Sequence, residues 1–242
     1  MGSSYRPWLE VQDFPSRGVI HRPLGFKTGR VHHLFSDLEL KVFLIYDVLA
    51  RIVDIREQFP LLPLEETLEI SKKIGVKHPT DTATGYPVVM TTDVLLKISH
   101  RRETFFHART IKYKKDLDDP RVEEKLRIER LYYRRRDIDW GVVTEDDVRP
   151  VLARNAALIH PYHLLSDLHP LKEGEVRRIA FYLHSRVWRE ELPLLEIVSD
   201  SDLKFGLPSG KSFSVICHQI VRGHWRVDLL KPIAVKERLI LL

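Results

Sequence analysis

Three residues in the first half of the chain have side chains that could bind a metal ion and act on a phosphate ester: Glu39, Asp93 and Lys112. Glu39 lies in an apolar stripe, because its neighbours at helical spacing include Phe35 and Val42. An unpaired ionised carboxylate in such surroundings has a raised pKa or costs several kcal/mol. Either a buried salt bridge, for which Arg56 is a candidate partner, or a metal ion would satisfy this carboxylate.

Asp93 and Lys112 fall on two consecutive predicted strands. The strands span Pro87–Ile98 and Phe105–Lys114, and the polar turn between them predicts a β-hairpin. Aspartate is uncommon in the middle of a strand, so its position there needs an explanation. A hairpin that turns near Arg101 places Asp93 opposite residue 109 or 110, with Lys112 diagonally within reach. An ordinary cross-strand ion pair remains the alternative for these two residues.

Alternation along the first of these strands predicts which side chains share a face. One face is expected to carry Thr92, Val94, Leu96 and Ile98, and the other Thr91, Asp93 and Lys97.

The three side chains together would suit metal-dependent hydrolysis of a phosphodiester. Magnesium requires oxygen ligands, and two carboxylates with one main-chain carbonyl can hold it while leaving positions for water and phosphate. Such an ion lowers the pKa of its bound water and stabilises the charge that develops on the phosphate. A lysine beside it can orient the attacking water. Asp followed, after a strand turn, by x-x-Lys is typical of restriction-endonuclease-like nucleases.

Composition excludes several other classes of protein. Of the 242 residues, 43 % are hydrophobic and 30 % are charged, which is typical of a globular protein with a hydrophobic core. No run approaches the ~18 apolar residues that span a bilayer, and the N-terminus lacks the apolar stretch of a signal peptide. The single cysteine, Cys217, excludes an internal disulfide framework and a multi-cysteine zinc site. We therefore expect a cytoplasmic protein with no membrane partner.

Positive charge is concentrated in one segment of the chain. The formal net charge is +5, and residues 97–136 contain fourteen Lys or Arg against seven Asp or Glu. A basic segment in an otherwise slightly acidic chain is expected for binding to a phosphate backbone. The alternative is a solvated helix face laced with ion pairs. Under the first interpretation, DNA contacts are predicted for Arg101, Arg102, Lys114, Lys115, Arg134 and Arg135.

Hydrophobic periodicity and turn residues predict an α/β first domain over residues 1–160, beginning with an extended arm. Helices and strands alternate in a way that indicates a mixed sheet flanked by helices. The predicted helices are His33–Ala50, Pro63–Ile74 and Pro120–Arg136, and the predicted strands are Arg51–Pro60, Pro87–Ile98, Phe105–Lys114 and Trp140–Val143.

Residues 161–242 have a different pattern, which predicts a small second domain. Three helices are expected at Glu173–Ser185, Glu191–Ile197 and Ser212–Arg222, followed by a strand at His224–Ile233. Three helices and a terminal strand or hairpin form the winged-helix plan, which serves in DNA binding or protein docking.

Several segments of the first domain resemble the TnsA family, the endonuclease subunits of heteromeric cut-and-paste transposases, including those of RNA-guided elements. The resemblance covers roughly residues 5–150, with the segments in the same order, whereas the last third matches only in general plan. The segments are Lys27–His33, Ser36–Glu39, Asp54–Pro63, Lys77–Pro79, Met90–Asp93 and Glu124–Arg130.

This resemblance implies a restriction-endonuclease-like domain that uses Mg²⁺, with Mn²⁺ as a substitute, to cleave the 5′ strands of transposon-end DNA. It also implies two partners: TnsB, a DDE transposase that cuts and joins the 3′ ends, and TnsC, an AAA+ ATPase that binds the C-terminal region. A prokaryotic, nucleoid-associated protein is expected. Matched position by position, the catalytic carboxylates fall on Glu39 and Asp93 and the catalytic lysine on Lys112.

The chain departs from the family pattern at one position near the lysine. Where the family often has Gln or an acidic residue, this chain has Thr110. We therefore expect the main-chain carbonyl of Ile111 to complete a magnesium site with the two carboxylates. Glu129, on the basic helix, is a candidate supporting residue, as is Thr110 itself. The alternative for Glu129 is an ion pair with Lys125 or Arg130.

Two other functions remain open at this point. The first is a non-catalytic assembly subunit, in which the basic segment and the second domain recruit the transposase and the ATPase. The departure at Thr110 is the feature that favours it. The second is a stand-alone nuclease of the same fold, which would act without partner proteins.

Overall fold

The computed structural model describes residues 2–13, 19–101 and 103–242. The chain divides into two compact units, residues 1–148 and 149–242. The boundary lies earlier than the residue 160 predicted from the sequence, because the helix that follows Arg149 packs within the second unit.

The first unit is built on a four-stranded mixed sheet. Its strands are β1 (Ile52–Pro60), β2 (Thr91–His100), β3 (Glu103–Ile111) and β4 (Asp139–Val143). They lie in the order β1-β2-β3-β4; β1, β2 and β3 pair antiparallel, and β4 runs parallel to β3. The predicted hairpin is β2–β3, and its register pairs Val94 with Arg109.

Three helices cover the two faces of this sheet. They are α1 (Asp37–Val48), α2 (Leu64–Lys73) and α3 (Pro120–Arg134). Leu38, Val42 and Phe43 of α1 form one core with residues of the sheet, and Ile70 of α2 and Ile128 and Tyr132 of α3 form another. The mixed α/β architecture flanked by helices is therefore confirmed, and it fits a restriction-endonuclease-like fold.

Capping residues explain where the helices of this unit begin. Ser36 has an extended backbone, and its hydroxyl accepts the backbone N–H of Glu39, so α1 begins at Asp37 and not at His33. Asp119 caps α3 in the same way, and Pro120 occupies the first turn, where its missing N–H costs nothing. The cap on α1 fixes the position of Glu39 in its first turn.

The regular pleat of the sheet is interrupted where Gln58 of β1 lies opposite Asp93 of β2. Gln58 has a φ of +47°, a left-handed conformation that is uncommon for a residue other than glycine. On the neighbouring strand, Val94 packs in the core beneath α1, whereas the Thr92 hydroxyl bonds to Glu129 of α3. The prediction that Thr92 and Val94 share a face is therefore wrong, because alternation requires an unbroken extended backbone.

The second unit contains four α-helices. They are α4 (Pro150–Ile159), α5 (Glu173–Arg189), α6 (Leu194–Phe205) and α7 (Lys211–Val221). The last three correspond to the predicted helices, with α5 and α6 extending further than expected. The sequence analysis did not predict α4, although Pro150 stands in its first turn.

The predicted strand His224–Ile233 is wrong. Within residues 149–242, all of which the structure describes, no strand forms, and Val227 makes only an isolated bridge with Leu241. The Asn155 side chain explains why: it donates to the carbonyls of Leu229 and Lys231 and accepts the N–H of Ile233. Because a side chain satisfies these backbone groups, they need no strand partner. The winged-helix assignment stays a prediction.

None of the helices in the described parts of the chain has the length and apolar character that crossing a membrane requires.

Candidate active site

Asp93 and Lys112 meet at the open end of the β2–β3 hairpin. The Lys112 ammonium donates to Asp93 Oδ2 at 2.9 Å and to the carbonyl oxygen of Ile111 at 3.1 Å. The same Asp93 oxygen accepts the backbone N–H of Ile111 at 2.6 Å. One ammonium therefore touches two of the oxygens that were predicted as metal ligands.

Glu39 supplies the second carboxylate at this site from the first turn of α1. It is 7 % exposed, and its oxygens accept the Phe35 N–H at 3.0 Å and the Ser36 hydroxyl at 3.1 Å. Burial and the charge of Asp93 together raise the pKa of Glu39 to about 7, against the hydrogen bonds from Phe35 and Ser36 and the charge of Lys112. Two carboxylates that repel each other in a buried site have an electrostatic reason to bind a cation.

The salt bridge considered for Glu39 in the sequence analysis is absent from the described residues. Arg56 instead pairs with Asp54, at 2.9 Å. Glu39 is held by a main-chain N–H and a hydroxyl, neither of which neutralises its charge. A buried carboxylate with neutral donors can take up either a proton or a metal ion.

Lys112 is a stable cation in this arrangement. Burial alone would lower its pKa, but the Asp93 carboxylate, with Glu39 and Glu129 nearby, raises the pKa above its usual value. The side chain remains one-third exposed, so its ammonium can reach a molecule in the adjoining cleft. Lys112 therefore suits charge stabilisation and hydrogen-bond donation, and it does not suit the role of general base at neutral pH.

Glu129 is held by two threonine hydroxyls. Its Oε1 accepts Thr92 Oγ1 at 2.6 Å and Thr110 Oγ1 at 2.5 Å. Among the described residues it makes no ion pair with Lys125 or Arg130, so the surface-pair alternative is wrong. Burial raises the pKa of Glu129 to about 7 against these hydrogen bonds. Thr110 thus bonds to α3, and its hydroxyl fixes Glu129 against the sheet.

These residues lie at the floor of an open cleft of about 290 Å³ in the first unit. Asp93, Thr110, Lys112 and Glu129 contribute polar groups to it, and Lys125 lies on the α3 side. A narrow crevice on the α1 face of the sheet is lined by Glu39 and also by Asp93. Asp93 therefore lines both the cleft and the crevice.

The donor set at this site fits a divalent cation. Glu39, Asp93 and the Ile111 carbonyl offer oxygen only, the ligand type that magnesium prefers. The described residues contain no group of three or more His, Cys, Asp or Glu side chains arranged to hold a metal ion. An ion at this site would therefore be held by carboxylates together with a main-chain oxygen and water, and the magnesium site stays a prediction.

The structure separates the residues predicted to contact DNA. Arg101 is exposed at the hairpin turn, and Arg102 lies outside the described residues. Lys114 pairs with Asp146 at 2.7 Å, and Lys115 lies over the Tyr113 ring. Their roles stay predictions.

The two arginines at the end of α3 differ from each other. Arg135 pairs with Glu69 of α2 at 3.0 Å, so it contributes to contacts between helices. Arg134 is exposed, and no ion pair to it is present among the described residues. The interpretation of a helix face laced with ion pairs therefore applies to Arg135, whereas Arg134 keeps a free cationic head.

Sequence reasoning missed two features of the site. Gln58 adopts its left-handed conformation beside Asp93, and no local sequence signal indicated it. Glu129 was predicted as a candidate supporting residue, but its burial was missed and a surface ion pair was left open, although Leu126 and Tyr133 at helical spacing indicated an inward face.

Comparison with known proteins identifies the family of this chain. Residues 50–145 match the family model described as TnsA-like endonuclease N terminal, a range that includes Asp93, Lys112 and Glu129 and excludes Glu39. The chain is also similar to the transposon Tn7 transposition protein TnsA of Escherichia coli, at 35 % identity over 237 residues. That alignment covers 95 % of this chain and 81 % of the relative. The chain therefore belongs to the TnsA-like family of endonuclease subunits.

Proposed function

We propose that this protein is a metal-dependent DNA endonuclease that hydrolyses the 5′ strands at the ends of a transposon. The observation that carries the proposal is the arrangement at Asp93, whose Oδ2 binds both the Lys112 ammonium and the Ile111 amide. This arrangement joins an anionic oxygen ligand to a fixed cation in an open cleft. Metal-dependent hydrolysis of a phosphodiester requires both: an oxygen ligand for the metal ion and a cation that stabilises the charge on the phosphate.

Glu39, Asp93 and the Ile111 carbonyl would hold a Mg²⁺ ion, for which Mn²⁺ is the natural substitute. When bound, the ion supplies a Lewis acid and lowers the pKa of a bound water. A metal ion binds carboxylates in their ionised form, so its binding displaces any proton that they carry. The raised pKa of Glu39 means that this residue has the proton to release.

Lys112 acts on the phosphate and the nucleophile. Its ammonium keeps its charge, because the pKa is raised, and it donates hydrogen bonds in a cleft that a phosphate can enter. A cation fixed by Asp93 and Ile111 needs little reorganisation when negative charge develops on the phosphate oxygens. The same ammonium can orient the water that attacks phosphorus.

Glu129 of α3 and Thr110 of β3 support the site by positioning its strands. The two threonine hydroxyls join β2, β3 and α3 through one carboxylate oxygen. This fixes the strand ends that carry Asp93 and Lys112. Glu129 thus acts by positioning, and Thr110 takes part through Glu129.

The strand choice and the partners of the proposal rest on family membership. The name of the Escherichia coli relative assigns it to transposition of Tn7. We infer that this chain works on transposon-end DNA with a TnsB-like DDE transposase and a TnsC-like AAA+ ATPase, in the cytoplasm and in contact with the nucleoid. Arg101 at the hairpin turn and Arg134 on α3 are the exposed cations that would contact the DNA backbone.

A strand-resolved cleavage assay tests this proposal. A duplex that carries one transposon end is labelled separately on each strand and incubated with the protein, its partner transposase, and Mg²⁺, Mn²⁺ or EDTA. We expect the 5′ strand to be cut with either metal and to stay intact in EDTA.

Two results of this assay would point elsewhere. Intact 5′ strands under all conditions, with DNA still bound, would favour the non-catalytic assembly subunit. Efficient cutting without any partner protein would favour a stand-alone nuclease. The arrangement of Lys112 at Asp93 argues against the first of these, because an assembly role does not require it.

A further inference from the structure

The walls of the active-site cleft are apolar, although its floor is charged. Proline, valine and methionine side chains line one wall, which belongs to the loop of residues 79–90, and valine and leucine line the other, on α3. These residues are Pro79, Val88, Val89, Met90, Val122 and Leu126. A phosphate backbone is anionic and hydrated, so apolar walls do not favour its binding. The faces of a nucleobase, in contrast, can pack against such walls.

The volume of the cleft agrees with the binding of a nucleobase between these walls. Its volume of about 290 Å³ is close to the lower end of the range for small-ligand pockets, about 300 Å³. The floor offers Lys112 for a phosphate, and Lys125 lies on the α3 side for a second one. One nucleotide therefore matches the cleft, with its phosphate on the floor and its base between the apolar walls.

Tyr86 belongs to the loop that supplies this apolar wall. It is 74 % exposed, and its hydroxyl has no hydrogen-bond partner among residues 2–13, 19–101 and 103–242. It stands two positions before Val88, which lines the cleft. An exposed aromatic side chain beside a nucleic-acid site is the usual platform for stacking an unpaired base.

The loop holds Tyr86 in place through its backbone. Asp81 N–H donates to the Tyr86 carbonyl at 2.8 Å, and Gly85 N–H donates to the Asp81 carbonyl at 2.8 Å. At the base of the loop, Val88 N–H donates to the carbonyl of Pro79 at 3.1 Å. Gly85 has a φ of +74°, which the tight turn before Tyr86 requires. The ring is therefore presented on an ordered loop, which reduces the entropy cost of a stacking contact.

We propose that the cleaved strand is bound with one nucleotide unstacked from the duplex, its base held between the cleft walls and Tyr86. This inference rests on the proposed function, because the strand is the one whose phosphate reaches Lys112. A paired base cannot enter the cleft without leaving the helix, and leaving costs pairing and stacking energy. A site that accepts an unstacked base binds more tightly where pairing is already weak.

The test measures affinity in EDTA, so that cleavage does not enter the readout. Fluorescence anisotropy compares a fully paired transposon-end duplex with duplexes that carry a single mismatch, moved one position at a time across the cleavage region. For the wild-type protein we expect tighter binding to a mismatched duplex, with a maximum next to the scissile phosphate.

Substitutions of Tyr86 then assign that preference to the ring. Tyr86→Ala should weaken binding to the best mismatched duplex by roughly 5- to 150-fold, the range that one stacked base represents. Tyr86→Phe should bind like the wild type, because the ring stacks and the hydroxyl has no partner. Leu203→Ala removes an equally exposed apolar side chain, 83 % exposed on α6, and serves as the matched control. Equal midpoints of thermal unfolding will show that the variants are folded.

The outcomes separate this inference from the proposed function. Equal affinity for paired and mismatched duplexes, or a mismatch preference that survives Tyr86→Ala, would overturn the inference even if the wild type cuts the 5′ strand. Loss of the preference in Tyr86→Phe would overturn the stacking role. A wild-type protein that binds no DNA even with its partner transposase present would overturn both proposals.

Discussion

The Lys112 ammonium donates to Asp93 Oδ2 across the β2–β3 hairpin, with a nitrogen–oxygen distance of 2.9 Å. The same oxygen accepts the Ile111 N–H, so two donors from adjacent residues fix one carboxylate. Neither partner can be removed without leaving the other short of a hydrogen bond in a mostly buried position. This pair is the basis of the predictions for catalysis.

Removal of the Lys112 charge should abolish most of the cleavage. Lys112→Met keeps the length and apolar stem of the side chain and removes the ammonium that stabilises the phosphate. The expected loss in cleavage rate is about 10²- to 10³-fold, as for one electrostatic donor in a preorganised site. Single-turnover cleavage, with the protein in excess over the DNA and at a concentration above the Kd for DNA, measures the chemical step.

Lys72→Met is the matched control for this substitution. Lys72 is exposed in the last turn of α2 and does not line the cleft, so its removal should change the cleavage rate little. Equal rate losses in the two variants would contradict a special role for Lys112.

Metal ions should stabilise the folded protein through the carboxylates. Because Glu39 and Asp93 repel each other, a divalent cation between them relieves that repulsion. At a concentration ~100-fold above its Kd, a single bound ion adds roughly 2.7 kcal/mol to the free energy of unfolding. We expect Mg²⁺ or Mn²⁺ to raise the midpoint of thermal unfolding relative to EDTA.

Two aspartate variants locate the ion in that experiment. Asp93→Asn should lose the metal-dependent shift, whereas Asp146→Asn, which affects an exposed carboxylate, should retain it. A shift that persists in Asp93→Asn would place the ion elsewhere in the protein.

A buried ion cluster on β1 should set the acid stability of the protein. Glu57 is 1 % exposed; its oxygens bind the Arg30 guanidinium at 2.6 and 2.5 Å and His32 Nδ1 at 2.8 Å. Burial raises the pKa of Glu57, but Arg30 and His32 outweigh burial and lower the pKa to about 2. The stability from this group is therefore complete above pH 4.5 and is lost as pH falls toward 2.

Glu57→Gln tests that pH dependence. The substitution should lower the free energy of unfolding at neutral pH by roughly 3 kcal/mol, since it leaves Arg30 buried without its anion. It should also flatten the acid limb of a plot of stability against pH, measured by urea denaturation. The Glu69 side chain is 67 % exposed in its pair with Arg135, so Glu69→Gln should change the free energy of unfolding by less than about 0.5 kcal/mol. An unchanged acid limb in Glu57→Gln would refute the assignment.

Two arginines at the end of α3 should separate DNA binding from stability. Arg134 is exposed, and Arg134→Ala should weaken DNA binding and reduce the slope of log affinity against log salt by about 0.9. Arg136 pairs with Glu66 at 2.6 Å and lies 3.6 Å from the Tyr132 ring centroid. Arg136→Ala should therefore destabilise the protein. A salt slope unchanged in Arg134→Ala would remove this residue from the DNA interface.

The sequence was sufficient to predict the elements that carry the site. Apolar spacing around Glu39 predicted its helix, and the alternating pattern with the turn at Arg101 predicted the hairpin that joins Asp93 to Lys112. Both predictions depend on local periodicity, which a single sequence contains.

Other features depended on contacts between distant residues. The left-handed φ of Gln58 has no local sequence signal, and Thr92 departs from the expected alternation because its hydroxyl bonds to Glu129 of α3. The segment after His224 contains residues that favour strands, but the Asn155 side chain of α4 forms hydrogen bonds with its backbone. No local pattern contains such a contact. The helix α4 was not predicted, although Pro150 in its first turn was a local signal for it.

The most direct test of the account is strand-resolved cleavage of a transposon end by Asp93→Asn, with the partner transposase and Mg²⁺ present. Asparagine keeps the shape of the side chain but loses the anionic oxygen that binds Lys112 and would bind the metal ion. We predict that 5′-strand cleavage falls to background while the affinity for DNA, measured separately, stays close to that of the wild type. Cleavage of the 5′ strand by Asp93→Asn at the wild-type rate would contradict the central claim.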